Sequence, residues 1–160
     1  MRNFHNFRAR LAYGFTLVEL MVVVLVITIL AVIAVPSYLS QTLKSRRSEA
    51  KSILMDLAAR QERYMATNGT YSSNATDMGY TGTWPQNVGN NYYSISLPAS
   101  SFNPAVAATS TTAATPATFK FTATAIGGQL KDTQCKTFSI DQTGSQTSTN
   151  SSDSASTGCW

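Results

Sequence analysis

Polar and apolar positions divide the 160-residue chain into zones of different character. A basic, acid-free start holding Arg2, Arg8 and Arg10 leads into 21 residues, 15–35, in which only Thr16, Glu19 and Thr28 are polar. About 20 apolar residues are enough to cross the hydrocarbon core as a helix. The run is rich in Val and Ile, which would suit a buried strand in water. It is far too long for one strand, and in lipid a helix satisfies its own backbone. The pattern therefore predicts a membrane helix. Its positive flank leaves residues 1–13 in the cytoplasm and the C-terminal part outside. A secretory signal peptide fits less well, because the apolar core is long and Pro36-Ser37-Tyr38 stands where a small-residue cleavage site belongs.

After Pro36 the period changes. Leu39, Leu43, Ala50, Ile53, Leu54, Leu57, Ala58, Tyr64 and Met65 recur mainly at intervals of three, four and seven, an amphipathic helical stripe. Lys44, Arg46, Arg47, Glu49, Lys51, Asp56, Arg60, Glu62 and Arg63 occupy the other face. Proline removes one helical hydrogen bond without having to end the helix, and Asn68-Gly69 is a stop signal. A single helix over 15–67 would be about 80 Å long. Apolar all round in its first half and apolar on one face in its second, it suits a helix half embedded and half packed.

The second half of the chain reads as β structure. Residues 92–97 alternate with Tyr93, Ile95 and Leu97 on one face. Residues 118–126 alternate with Phe119, Phe121, Ala123 and Ala125, and 137–141 with Phe138 and Ile140. A further strand is placed near the C-terminus. The fold class is α+β: a long N-terminal helix packed on a small antiparallel sheet of three to four strands. Residues 70–91, with aromatics among Gly, Asn and Pro, read as a structured loop pinned by Tyr71, Tyr80 and Trp84. The Ala/Thr tract 105–117 reads as an exposed loop. The tail from Gln142 is nearly all Ser, Thr, Gly and Asn and would be disordered alone.

Charge changes the picture little. Three of the 12 Lys and Arg lie in the first 14 residues, which leaves nine against eight acids, a net of +1. The basicity is mostly topogenic and is weak evidence for nucleic-acid binding. The cluster Lys44, Arg46, Arg47 and Lys51 reads first as a solvated face or a headgroup anchor. Acids of an adjacent subunit and DNA are the alternatives. Cys135 and Cys159 both lie outside the membrane in this topology, where a disulfide is favoured. A half metal site and a redox pair are the alternatives, but there is no C-x-x-C, and His5 is the sole histidine. Closing such a loop stabilises by about 3 kcal/mol in the chain-entropy model.

Glu19 carries the most information. A carboxylate in hydrocarbon costs several kcal/mol and is usually paired or functional, and no basic side chain lies in the segment. Cleavage after Gly14 would give Phe15 a new amine one helical turn from Glu19. The amine of a neighbouring copy would serve equally, and snorkelling to the interface is the structural alternative.

Gly14-Phe15-Thr16-Leu17-Val18-Glu19, behind a basic leader, resembles the type IV prepilin processing motif, and the resemblance covers about the first 40 residues. It implies cleavage between Gly14 and Phe15, N-methylation of Phe15 by a prepilin peptidase, an assembly role for Glu19, and a helix kink at Pro36. The implied organisation is a leader (1–14), a transmembrane and filament-core helix (15–36), the amphipathic half of that helix (37–68), and a globular head (69–160). The head would carry an αβ loop, an antiparallel sheet and a C-terminal loop closed by Cys135 and Cys159. The run CKTFSIDQTG and the final Cys159-Trp160 look most like minor pilins.

The implied function is a structural subunit of a type IV pilus, a minor pilin, serving adhesion, twitching motility or DNA uptake. Its partners would be other pilin subunits, the peptidase and an inner-membrane assembly platform. The chain would sit in the inner membrane with its head in the periplasm, and then on the surface fibre. A DNA-binding competence pilin and a type II secretion pseudopilin are the alternatives. DNA is disfavoured, since only Lys120, Lys131 and Lys136 lie beyond Arg63, against Asp77, Asp132, Asp141 and Asp153. No enzyme is read: without the leader the chain has no histidine for a Ser-His-Asp or Cys-His arrangement. No metal and no cofactor are implied.

Overall fold

The computed structural model describes residues 14–110 and 113–160; the leader arginines and His5 lie outside the described residues. The chain forms two compact units, Met1–Ser40 and Gln41–Trp160. Helix α1, Leu17–Asn68, contributes to both, and Pro36 lies inside it.

In the first unit the helix begins with a side-chain cap. Thr16 Oγ1 accepts from the backbone N–H of Glu19 at 3.2 Å, and Leu20 N–H bonds to the Thr16 carbonyl. The side-chain bond satisfies one of the donors that a helix start leaves free, and the second is the first intrahelical bond, accepted by the N-cap carbonyl. Thr-x-x-Glu is also the residue pattern of a capping box. Farther along, the Thr28 hydroxyl donates to the Val24 carbonyl at 2.7 Å, so it brings no unsatisfied donor into the apolar run.

In the second unit α1 buries Ala50, Leu54, Leu57 and Gln61. Three of these belong to the predicted stripe. Gln61 does not, because a glutamine at a core position breaks the apolar pattern. The helix ends as the sequence signals: Gly69, at φ +72°, donates to the Met65 carbonyl at 2.9 Å, a left-handed C-cap.

The sheet has six strands: β1 (Gln86–Val88), β2 (Tyr93–Ser96), β3 (Phe102–Asn103), β4 (Thr118–Ala125), β5 (Thr137–Asp141) and β6 (Gln146–Thr149). Their order is β1-β2-β4-β5-β6, with β3 on one end of β4, and every pairing is antiparallel. Strands β2, β4 and β5 are those the alternation predicts, and β6 is the further strand near the C-terminus. The two additions are β1 and β3. Each has three residues or fewer, too short to set up an alternation, and each exists because a longer strand offers an unpaired edge.

Alternation sorts the two faces. Tyr93, Ile95, Phe119, Phe121, Ala123, Phe138 and Ile140 join Ala50, Leu54 and Leu57 in one core. Edge-to-face aromatic contacts tie it together, with Tyr71 on Phe119 at 4.7 Å and Tyr93 on Phe138 at 5.9 Å. The other face is polar. Its register aligns Ser94, Thr124, Thr137 and Thr149 in one row across four strands. Ser96, Thr122, Ser139 and Thr147 form a second row.

The loop between helix and sheet is held from three sides. Gln61 closes a two-bond pairing with Ser72, donating to its carbonyl at 2.7 Å and accepting from its N–H at 3.0 Å. The Tyr71 hydroxyl donates to Glu62 at 2.9 Å. Trp84 lies against Phe121 and donates to the Ser73 carbonyl at 3.1 Å, and Tyr80 packs on Trp84. The tract after β3 is less plain than its composition suggests, since Val106 and Thr115 form an isolated bridge.

Phe121 is fully buried at the centre of β4. Phe121→Ala should destabilise the protein by about 3–5 kcal/mol, read from the shift of its denaturant midpoint.

Candidate functional site

In the first unit every large apolar side chain from Phe15 to Leu39 points outward, and Phe15 is 82% exposed. The helix is long and apolar enough to cross a membrane. Glu19 stands in its first turn, at the third helical position, where a negative charge faces the positive end of the helix dipole. The sequence reading of Glu19 missed this local role, although Thr16-x-x-Glu19 was there to be read. Gly14 has open space around it, and the Gly14-Phe15 junction precedes the first helical residue.

In the second unit the basic cluster turns inward. Arg47 grips Asp132 with two bonds, Nε to Oδ2 at 2.6 Å and Nη2 to Oδ1 at 2.7 Å, and the carboxylate side chain is 1% exposed. Arg46 lies over the Tyr92 ring at 3.5 Å. Lys51 donates to the Cys159 carbonyl at 2.9 Å. Three of the four cations read as a solvated face thus bind the helix to the head, and Lys44 alone of the four is exposed. Each of these contacts spans tens of residues, so helical spacing carried no trace of them.

Asp132 is the hub of that attachment. Besides Arg47, it accepts from Gln129 Nε2 at 3.0 Å and from the Cys135 N–H at 3.1 Å. Gln129 also donates to the Leu43 carbonyl at 3.3 Å. One carboxylate therefore joins α1, the 3-10 turn Gly127–Lys131 and the start of the disulfide loop. Cys135 and Cys159 are bonded, with Cα atoms 5.8 Å apart.

The tail is ordered against β6. Ser156 N–H bonds to the Ser148 carbonyl at 2.9 Å, and the Ser148 hydroxyl returns a bond to the Ser156 carbonyl at 2.8 Å. The Trp160 indole donates to the Thr147 carbonyl at 2.7 Å and packs edge-on to Phe138. These contacts blunt an edge strand that would otherwise invite pairing.

The remaining charges are sparse. Lys136 pairs with Asp153 at 2.8 Å. Lys120 and Lys131 are exposed, and among the described residues neither is in an ion pair. Desolvation acts to raise the Asp141 carboxyl, and bonds from the Thr143 hydroxyl and the Thr143 and Ser145 N–H groups oppose it. Together with the nearby Lys120 charge, these hold its carboxyl below the usual range.

A profile described as "Type IV minor pilin ComP, DNA uptake sequence receptor" matches residues 36–139, and one for the prokaryotic N-terminal methylation motif matches residues 10–35. The chain belongs to the type IV minor pilin ComP family. The pilin is also 42% identical over 67 residues to the type IV major pilin protein PilA of Myxococcus xanthus, covering 42% of this chain and 30% of that protein. It is 37% identical over 65 residues to the type IV wide pilus major component PilA4 of Thermus thermophilus, covering 41% of this chain and 50% of that one. A fimbrial protein of Neisseria meningitidis matches at 36% over 66 residues, 41% of this chain and 39% of that protein. The matched part of the pilin thus spans half or less of the length of these relatives.

Two measurements follow from the second unit. Arg47→Ala strands a buried carboxylate, so it should cost about 3–5 kcal/mol, read by denaturant unfolding at neutral pH. Burial, followed by the bond to Glu62 and its charge, pushes the Tyr71 hydroxyl up to about 12. Burial, with the Asp132 charge next in weight, likewise pushes Tyr93 to about 12. A raised phenol contributes stability that is fully present below its unfolded pKa, near 10, and is lost as pH rises through its folded one. Stability should therefore fall between about pH 10 and 12, and Tyr71→Phe should flatten that fall in a pH series of melts.

Proposed function

We propose that this pilin is a structural subunit of a type IV pilus. A prepilin peptidase cuts after Gly14 and methylates Phe15. Residues 15–36 then hold the chain in the inner membrane with the head, 69–160, in the periplasm. An assembly platform moves the chain into the fibre, where helix 15–36 exchanges lipid for the helices of other pilins. Glu19 pairs there with the amine of a neighbouring subunit, so that no bare carboxylate is buried. A kink at Pro36 belongs to the same reading.

The observation that carries this proposal is the outward-facing apolar run from Phe15 to Leu39. Covering each such side chain is favourable by roughly 1.5–3 kcal/mol, and both lipid and a bundle of like helices provide the cover. The methylation-motif match over residues 10–35 supports the processing step.

A second reading is DNA uptake, with the head as the receptor. It is favoured by the family description, DNA uptake sequence receptor, for a match that covers most of the head. Charge count alone disfavours DNA. However, Asp132 is consumed by Arg47 and Asp153 by Lys136, so fewer acids face a phosphate than the composition suggests. The few cations left predict a shallow salt dependence, because each neutralised phosphate adds about −0.9 to the slope of log K against log salt.

Glu19→Ala should leave the protein in the membrane fraction while depleting it from sheared fibres. A peptide beginning with N-methylated Phe15 should appear in fibre digests by mass spectrometry. Normal fibre abundance of the variant would refute the role of Glu19. For DNA, a mobility shift with the full chain in detergent should show binding that outlasts moderate salt. Binding no tighter than that of an unrelated membrane protein of equal charge would remove that reading.

A further inference from the structure

The 3-10 turn Gly127–Lys131 and the residue after it invert the usual burial order. Polar Gln129 is fully buried and Asp132 nearly so, while Leu130 between them is 61% exposed. Among the described residues, no other large apolar side chain of the second unit is as exposed. A lone leucine on a loose loop would be ordinary, but this turn is held firmly. Gln129 Nε2 donates to the Leu43 carbonyl at 3.3 Å, and Asp132 is gripped by Arg47. Backbone bonds from Gln129 N–H to the Ile126 carbonyl and from Asp132 N–H to the Gln129 carbonyl close the turn itself. Leu130 is thus held out in solvent by bonds on both sides of it.

Cations flank this leucine. Lys131 follows it in the chain, and Lys44 follows Leu43, the residue to which the turn is bonded. Both lysines are exposed, and among the described residues neither is in an ion pair. What covers the patch must therefore offer apolar cover for Leu130 and negative charge for the two ammonium groups.

That requirement separates the occupants. A nucleic acid would meet the lysines and leave Leu130 in water. The same patch on a second copy would set cation against cation. An anionic phospholipid surface supplies both parts, phosphate for the lysines and the acyl boundary for the leucine, as it does for basic amphipathic segments that lie on membranes. Position along the chain agrees. Val35 ends the apolar run, and Leu43 comes eight residues later on the same helix, about 12 Å of rise. The headgroup layer takes up about 5–8 Å of that, and long lysine stems can extend toward it. We propose that Leu130, Lys131 and Lys44 form a foot by which the head rests on an anionic phospholipid surface. This inference rests on the reading of residues 15–36 as a membrane anchor.

The test uses the full chain reconstituted in phosphatidylcholine vesicles, with and without added phosphatidylglycerol. Leu130→Trp puts a reporter at the foot, and Val106→Trp puts one at another exposed apolar position of the head. The emission that each adds to wild type is read with lipids brominated near the headgroup end of their acyl chains, which quench only on contact. In phosphatidylglycerol vesicles Leu130→Trp should be quenched about twofold more than Val106→Trp, and the excess should fall as salt rises. Adding Lys44→Glu and Lys131→Glu should remove that excess, since neither lysine is in an ion pair of the fold. Equal quenching of the two reporters, or quenching that ignores the lysine changes, would overturn the proposal. So would emission from Leu130→Trp that shifts to the blue without quenching and only as protein density rises, because a second copy would then cover the leucine. Alkaline extraction of the same vesicles separates the two readings. A chain that washes off refutes the membrane anchor and the foot together, whereas a chain that stays with an unquenched reporter refutes the foot alone.

Discussion

The head depends on one contact, the stripe of α1 under the sheet. Ala50, Leu54 and Leu57 are sealed against Ile95, Phe121, Ala123 and Phe138. A sheet this small with one polar face cannot bury its other face alone. The helix supplies the missing layer, with Ala50 and Ala123 buried in the shared core. Polar bonds at its rim help hold the surrounding segments to that layer. Gln61 holds the loop before the sheet through Ser72, Arg47 holds the disulfide loop through Asp132, and Lys51 holds the tail through the Cys159 carbonyl.

These rim bonds explain why the head is electrically quiet. The helix cations nearest the head are used in its construction, and Lys136 is matched by Asp153. What remains outside is a neutral, hydroxyl-rich sheet face and an ordered Ser/Thr tail. Such a surface stays solvated without strong long-range fields, and short-range matching rather than steering decides what it meets. The first unit is the opposite case, almost wholly apolar and uncovered. One chain thus carries a surface that must be covered by its surroundings and a surface that tolerates water.

Residues differed in how far local pattern betrayed their role. Strands β4 and β5 were legible because each is long enough to alternate. The two- and three-residue strands β3 and β1 were not, since an edge pairing needs only a neighbour. Gln61 was hidden because polar residues are rare in cores, and its burial rests on a backbone partner eleven residues away. The tail, which composition marks as disordered, is ordered by a cross-link and by bonds to β6 that no composition encodes.

The sequence by itself determined the long helix and its change of character at Pro36. It also determined the N-terminal methylation motif ahead of the apolar run, the alternating strands, and the candidate cysteines. All of these are local: a period, a motif or a count, governed by interactions within a few residues. Tertiary structure alone decided that Arg47, Arg46 and Lys51 turn inward, that Asp132 is the hub of the head, and that Lys120 comes into register with Asp141. Those outcomes depend on which strands become neighbours and in what register. A shift of one residue sends a side chain to the other face of a sheet, and no stretch of chain read alone contains that choice.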